Sequence, residues 1–89
     1  MAQGRALDYI GPILRRKREL AEVSQADLAA RAGLSASTVS RLENAIAWPQ
    51  DMHIDGLLDV YEVETGLDRL EVAEEAVAAW REAQGVHSR

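Results

Sequence analysis

The sequence predicts an all-α fold, and three observations carry that expectation. Apolar residues recur at spacings of three and four along most of the chain, the period of a helix face. Two serines, Ser24 and Ser35, each stand at the opening of a helical stretch, with Gly33 as punctuation between them. No run alternates apolar and polar residues as a half-buried strand would. At 89 residues the chain has the size of one small domain with a modest core. It lacks Phe and holds only 4% aromatic residues, so Leu, Val, Ile and Ala must fill that core.

Residues 1–10 show no strong pattern and read as an N-terminal tail, loose or docking. Pro12 suits the first position of a helix, where its missing N–H costs nothing. A first helix then runs to about Glu22, with Ile13, Leu14 and Leu20 apolar and the basic run "RRKR" between them. Ser24 caps a second helix beginning "QADL", and Ser35 caps a third beginning "ASTV". Each serine follows an apolar residue that can staple onto another five positions on, Val23 onto Leu28 and Leu34 onto Val39. Asp27 also fits a capping box, and Gly33 stands where a left-handed residue ends the second helix. The product is a helix, a tight turn and a helix. Pro49 closes the loop that follows. A fourth helix is expected over about Met52–Tyr61, on Ile54, Leu57, Leu58 and Tyr61, with Gly56 weakening it slightly. Thr65 can cap a last helix over about Gly66–Ala83, whose apolar positions are Leu70, Ala73, Val77 and Trp80. The expected organisation is a tail (1–10), a core domain (11–63), a C-terminal amphipathic helix (64–84) and a second tail (85–89).

Charge is divided along the chain. The net charge of −5 argues against a nucleic-acid ligand, but residues 1–44 carry +2 and residues 45–89 carry −7. Such a split implies that the two halves face different things. Cys is absent, which excludes disulfides and thiolate metal sites and suits a reducing cytoplasm. No stretch approaches the ~20 apolar residues of a membrane span, and the N-terminus has no signal-peptide run. The expectation is a cytoplasmic protein with no membrane contact.

On the third helix Val39 and Leu42 form the inner stripe, and Glu43, four residues from Val39, lies beside it. A buried carboxylate is costly unless paired. Arg18, in the first helix, is the best candidate cation, because a guanidinium can grip a carboxylate with two bonds. The other reading is a surface residue at a fraying helix end. The opposite side carries Ala36, Ser37, Ser40, Arg41 and Asn44. It is small and hydrogen-bonding rather than rich in Glu and Lys, and can lie flat against another surface.

The stretch "LRRKRELAEVSQADLAARAGLSASTVSRLENAIAWP" (14–49) resembles the helix-turn-helix of phage-repressor and Cro-type regulators, the XRE family. The likeness spans roughly residues 11–63. It rests on an Arg seven before the Gln, on "SQ" and "LA", on the turn Gly, on the Ser cap, and on S-x-x-E-N closing the third helix. "IGPILRRKREL" and "LLDVYEV" look most like the N-terminal modules of actinobacterial regulators. The resemblance implies a five-helix repressor-like domain whose second and third helices form the motif, with an extended C-terminal helix. It also implies the Arg18–Glu43 ion pair and a third helix that reads double-stranded DNA.

In that setting Gln25 and the free N–H groups beside it can clamp a phosphate. Ala36 and Ser37 are the family's main base-reading positions, and Ala36 could press on a thymine methyl. Arg41 is the strongest reader available, able to grip guanine O6 and N7 together. Ser35, Thr38 and Ser40 suit phosphates or base edges, Asn44 the helix end and the DNA backbone, and Arg15 and Arg16 phosphates. One departure stands out. The family usually follows "EN" with Gly and basic residues, whereas this chain has "AIAWP". Without those phosphate contacts a monomer should bind DNA weakly. Ile46 and Trp48 suggest a protein contact there, unless Trp48 folds back on the core. A homodimer on a palindromic operator would offset weak half-sites. The last helix could pair through Leu70, Val77 and Trp80, or pack that stripe on its own core.

A second class of function uses the same fold as a protein-interaction module, antitoxin-like or regulatory, through the acidic half and the Ile46/Trp48 loop. An enzyme is not expected. His53 and His87 are far apart, and there is no Gly-rich phosphate loop or nucleophile elbow. Glu74 and Glu75 point different ways on a helix. No cofactor and no metal are expected.

Overall fold

The second, third and fifth helices each start where a side-chain oxygen accepts from a first-turn N–H group. The computed structural model describes residues 4–85. The expectations for residues 1–3 and 86–89, His87 included, lie outside the described residues. A 3-10 turn (Ala6–Tyr9) leads into α1 (Ile10–Leu20), α2 (Gln25–Ala32), α3 (Ala36–Glu43), α4 (Ile54–Thr65) and α5 (Arg69–Gly85). The described residues contain no strand. The Ser24 hydroxyl accepts from Asp27 N at 3.0 Å, and the Ser35 hydroxyl accepts from Thr38 N at 3.1 Å. Gly33 closes α2 at φ +72°, a conformation glycine adopts without steric cost.

Four features of the boundaries differ from expectation. The second half of the expected tail is ordered and docked, because Ala6–Tyr9 pack against α5. Pro12 stands third rather than first in α1, still within the turn whose N–H groups lack intrahelical partners. Thr65 belongs to the end of α4, its hydroxyl donating to Tyr61 O at 2.7 Å. Asp68 caps α5 instead, its carboxylate accepting from Leu70 N at 3.0 Å. α4 runs a turn further than expected, to where Gly66 (φ +73°) ends it.

The core joins all five helices. Ile10, Ile13 and Leu14 of α1 meet Leu28 and Ala29 of α2, Val39 and Leu42 of α3, and Leu57, Leu58 and Tyr61 of α4. Val72 and Ala76 of α5 and Leu67 before it complete the cluster. Trp48 also belongs here, which corrects its reading as a partner contact. Its indole N–H donates to Met52 O at 2.8 Å, and its backbone N–H donates to Asp8 Oδ1 at 2.8 Å. The ring carries enough apolar area to outweigh an exposed alternative, and both polar groups are satisfied. Ile46 stays outside, 95% exposed.

Beyond α1, Glu22 holds φ +60°, the one non-glycine residue with positive φ among the described residues. That conformation lets Val23 N donate to Arg18 O at 3.2 Å. An L-residue there bears ~1–2 kcal/mol of steric cost. Glu22→Gly adds ~0.5–1 kcal/mol of unfolded-chain freedom, so the net expectation is a gain of about 0.5 kcal/mol in urea unfolding. A lower urea midpoint at unchanged slope would contradict a strained Glu22.

Candidate nucleic-acid interface

The inner side of α3 is tied down by one carboxylate. Glu43 is 1% exposed. Arg18 grips it with two bonds, Nε to Oε2 at 2.8 Å and Nη2 to Oε1 at 2.9 Å. The Tyr61 hydroxyl donates to Oε2 at 2.5 Å, and the Gln25 amide donates to Oε1 at 3.1 Å. The remaining Arg18 Nη1 donates to Val23 O at 2.8 Å. α1, α2, α3 and α4 thus converge on a single charge. Burial pushes the Glu43 carboxyl up, but the bonds from Arg18, Tyr61 and Gln25 outweigh it and hold the group below its ordinary value. Burial and the same carboxylate push the Tyr61 hydroxyl well above its ordinary value, so it remains a donor. Tyr61 and Gln25 are the members that sequence reasoning missed, since helical spacing marks only the Tyr61 ring as apolar and the resemblance makes Gln25 a phosphate clamp. Arg18 gave a signal through the motif.

The hub redefines Gln25. Its side chain points inward to Glu43 rather than outward, so a phosphate at the start of α2 would meet backbone N–H groups first. Gln25, Ser24, Ser40, Asn44 and Arg15 share one shallow polar groove beside Arg18.

The outer side of α3 presents Ala36, Ser37, Arg41 and Asn44 exposed, with Thr38 and Ser40 half-buried. The Ser35 hydroxyl lies 3.2 Å from that of Ser37 and 2.9 Å from that of Thr38, forming a cluster at the helix start. Asn44 closes the far end, its amide donating to Ser40 O at 2.8 Å while its oxygen accepts from Arg15 at 3.2 Å. Arg15 therefore borders this face, although Glu19 shares its charge at 3.0 Å. Arg16 does not border it. One position further round α1, it meets Glu75 of α5, which corrects its grouping with Arg15. Lys17 is held likewise, by Glu71 at 2.8 Å and Glu75 at 3.2 Å. Much of the basic run is thus spent on docking the acidic α5.

Among the described residues, Arg41 and Arg81 are the cations outside every ion pair. Arg41 is exposed on the outer face in the last turn of α3. Among those residues no group of three or more potential ligands is placed to hold a metal, and no helix is long and apolar enough to cross a membrane.

No curated protein and no solved structure matches this chain. A helix-turn-helix domain family matches residues 10–72, from the first residue of α1 into α5. That span includes the Glu43 hub and the whole outer face of α3, and it covers most of the sequence: the chain belongs to the helix-turn-helix domain family, a relative of the XRE-type regulators.

Proposed function

We propose that this protein is a sequence-specific DNA-binding transcription regulator of the phage-repressor and Cro type. In this reading α3 enters the major groove, and a cytoplasmic homodimer binds a palindromic operator. The observation that carries it is the contrast between the two sides of α3. The inner side is locked by Glu43 to three other helices, which supplies the rigidity that base reading needs. The outer side is small and polar and carries the exposed Arg41, which has no ion pair among the described residues. Arg41 then grips a guanine, Ser37 and Ala36 read the bases beside it, and Ser35, Thr38, Ser40, Asn44 and Arg15 hold backbone or base edges. Two half-sites about one turn apart, ~34 Å, would make up for a scarcity of phosphate-binding cations.

The test is selection of genomic DNA fragments at low and moderate salt, followed by the variants Arg41→Ala and Ser37→Ala. Arg41→Ala should cost ~1–3 kcal/mol on the selected site and relax its sequence preference. Unchanged affinity and preference would remove α3 as the reader.

A second reading is supported by Ile46, 95% exposed in an uncharged loop. In it the same fold is a partner-binding module, antitoxin-like or regulatory, with the acidic C-terminal half. A folded protein that selects no fragment even at low salt favours that reading.

A further inference from the structure

α5 has two apolar sides, and only one is used by its own domain. Val72 and Ala76 face the core, while Leu70, 72% exposed, and Val77 lie on the opposite side. Ala73, Glu74, Ala78 and Arg81 complete a shallow groove along that outer side. Its two charges are of opposite sign. Glu74 and Arg81 lie seven residues apart, two helical turns on one face. Neither has an ion partner within its own chain among the described residues. Of the other acidic residues on α5, Glu71 pairs with Lys17 and Glu75 with Arg16 and Lys17, while Glu82, beyond Arg81, has no ion pair among the described residues either.

We propose that this face pairs with the same face of a second copy, as two antiparallel α5 helices related by a two-fold axis near Val77 and Ala78. This deepens, and rests on, the homodimer part of the function proposed above. The charge pattern commits the face to a second copy. In an antiparallel pair centred there, Glu74 of each chain stands opposite Arg81 of the other, so both orphan charges are satisfied at once. A two-fold contact is self-complementary in this way, each residue meeting its counterpart reciprocally. Val77 packs on Ala78 across the axis, and the small Ala73 and Ala78 let the helices approach. Leu70, ~11 Å from the axis at 1.5 Å per residue, covers the end of the partner helix. A parallel pair would instead set Glu74 against Glu74 and Arg81 against Arg81.

Sedimentation equilibrium of the full chain without DNA tests this, so the result is independent of operator binding. The parent should dimerise at micromolar to tens-of-micromolar concentration, and Leu70→Glu/Val77→Glu should be monomeric with an unchanged helical spectrum. Glu74→Arg alone and Arg81→Glu alone should each weaken association about tenfold, by placing like charges opposite each other twice. Mixing these two single variants should restore it, because each chain then supplies what the other lacks. The double variant Glu74→Arg/Arg81→Glu should also associate like the parent. A parent that stays monomeric, or single variants that associate as well as the parent, would overturn the proposal, as would a mixture no tighter than its components. Selection of DNA fragments by a monomeric parent would leave the major-groove reading standing while removing the pairing.

Discussion

Replacing Glu43 with alanine should lower stability by about 3–5 kcal/mol, the cost of breaking a buried pair from one side. That is a large share of the ~5–15 kcal/mol that holds a typical domain. The reason is what remains. Arg18 keeps only its bond to Val23 O, while the Tyr61 hydroxyl and the Gln25 amide lose their common acceptor. A buried guanidinium with no counter-charge is the dominant penalty. Urea unfolding followed by circular dichroism measures the loss; a change below about 1 kcal/mol would mean that the charge is solvated, not buried. Arg18→Met/Glu43→Leu/Tyr61→Phe should recover most of the loss, because it removes the uncompensated guanidinium and the orphaned hydroxyl together and leaves only neutral groups, the half-buried Gln25 amide and the Val23 carbonyl, without these partners.

The same hub sets an acid dependence. The Glu43 carboxyl titrates below its ordinary 4.5 in the folded state, held down by Arg18, Tyr61 and Gln25 against the opposing effect of burial. Its contribution is therefore complete above pH 4.5 and is lost as the pH falls through the lower folded value. Glu43→Gln should be less stable than the parent at neutral pH, and the gap should close as the pH drops below 4.5. A gap that stays constant down to the acid transition would show that Glu43 is not the titrating group.

Gly11→Val should be the second costly change, at about 1–3 kcal/mol or more from overpacking. α1 passes α3 closely at Gly11. Any Cβ there would run into the Leu42 carbonyl oxygen and stand 3.3 Å from the carbonyl carbon and oxygen of Glu43. These are backbone atoms at the end of α3, with no side chain to swing aside. A Cβ would also crowd Pro12, which disfavours helical geometry in the residue before it. Relief requires α1 to move off α3, which stretches the Arg18–Glu43 grip two turns further on. Gly11→Ala should show the same sign with smaller size. Thermal melts of both variants check it, and a neutral Gly11→Ala would contradict the close approach.

Part of the candidate site was legible in the residues alone. Ser24, Ser35 and Gly33 act on backbone groups within a few positions of themselves, so the turn between α2 and α3 follows from local chemistry. The polar outer face of α3 follows from helical phase, whereas helical phase leaves Glu43 open between a pair with Arg18 and a surface position, and it is the resemblance to known regulators that implies the pair. The resemblance to known regulators added the link between these parts and DNA.

The remainder is decided by tertiary structure. Apolar residues of α5 fall on two opposite sides, Leu70 and Val77 against Val72 and Ala76. Periodicity picks out Leu70, Ala73, Val77 and Trp80, whereas packing against the neighbouring 3-10 turn and α1 buries Val72 and Ala76 instead. Trp48 has no period to read, because a single loop residue turns inward only when Asp8 and Met52 are there to receive its N–H groups. Arg15 and Arg16 are alike in sequence, yet one borders Asn44 and the other meets Glu75, a partner 59 positions away. The helices, the Ser24 and Ser35 caps and the face that α3 presents follow from residues a few places apart. Which cations stay free, which apolar side is spare and which hydroxyl completes the Glu43 hub depend on segments that meet across the chain, and neighbouring residues carry no record of those meetings.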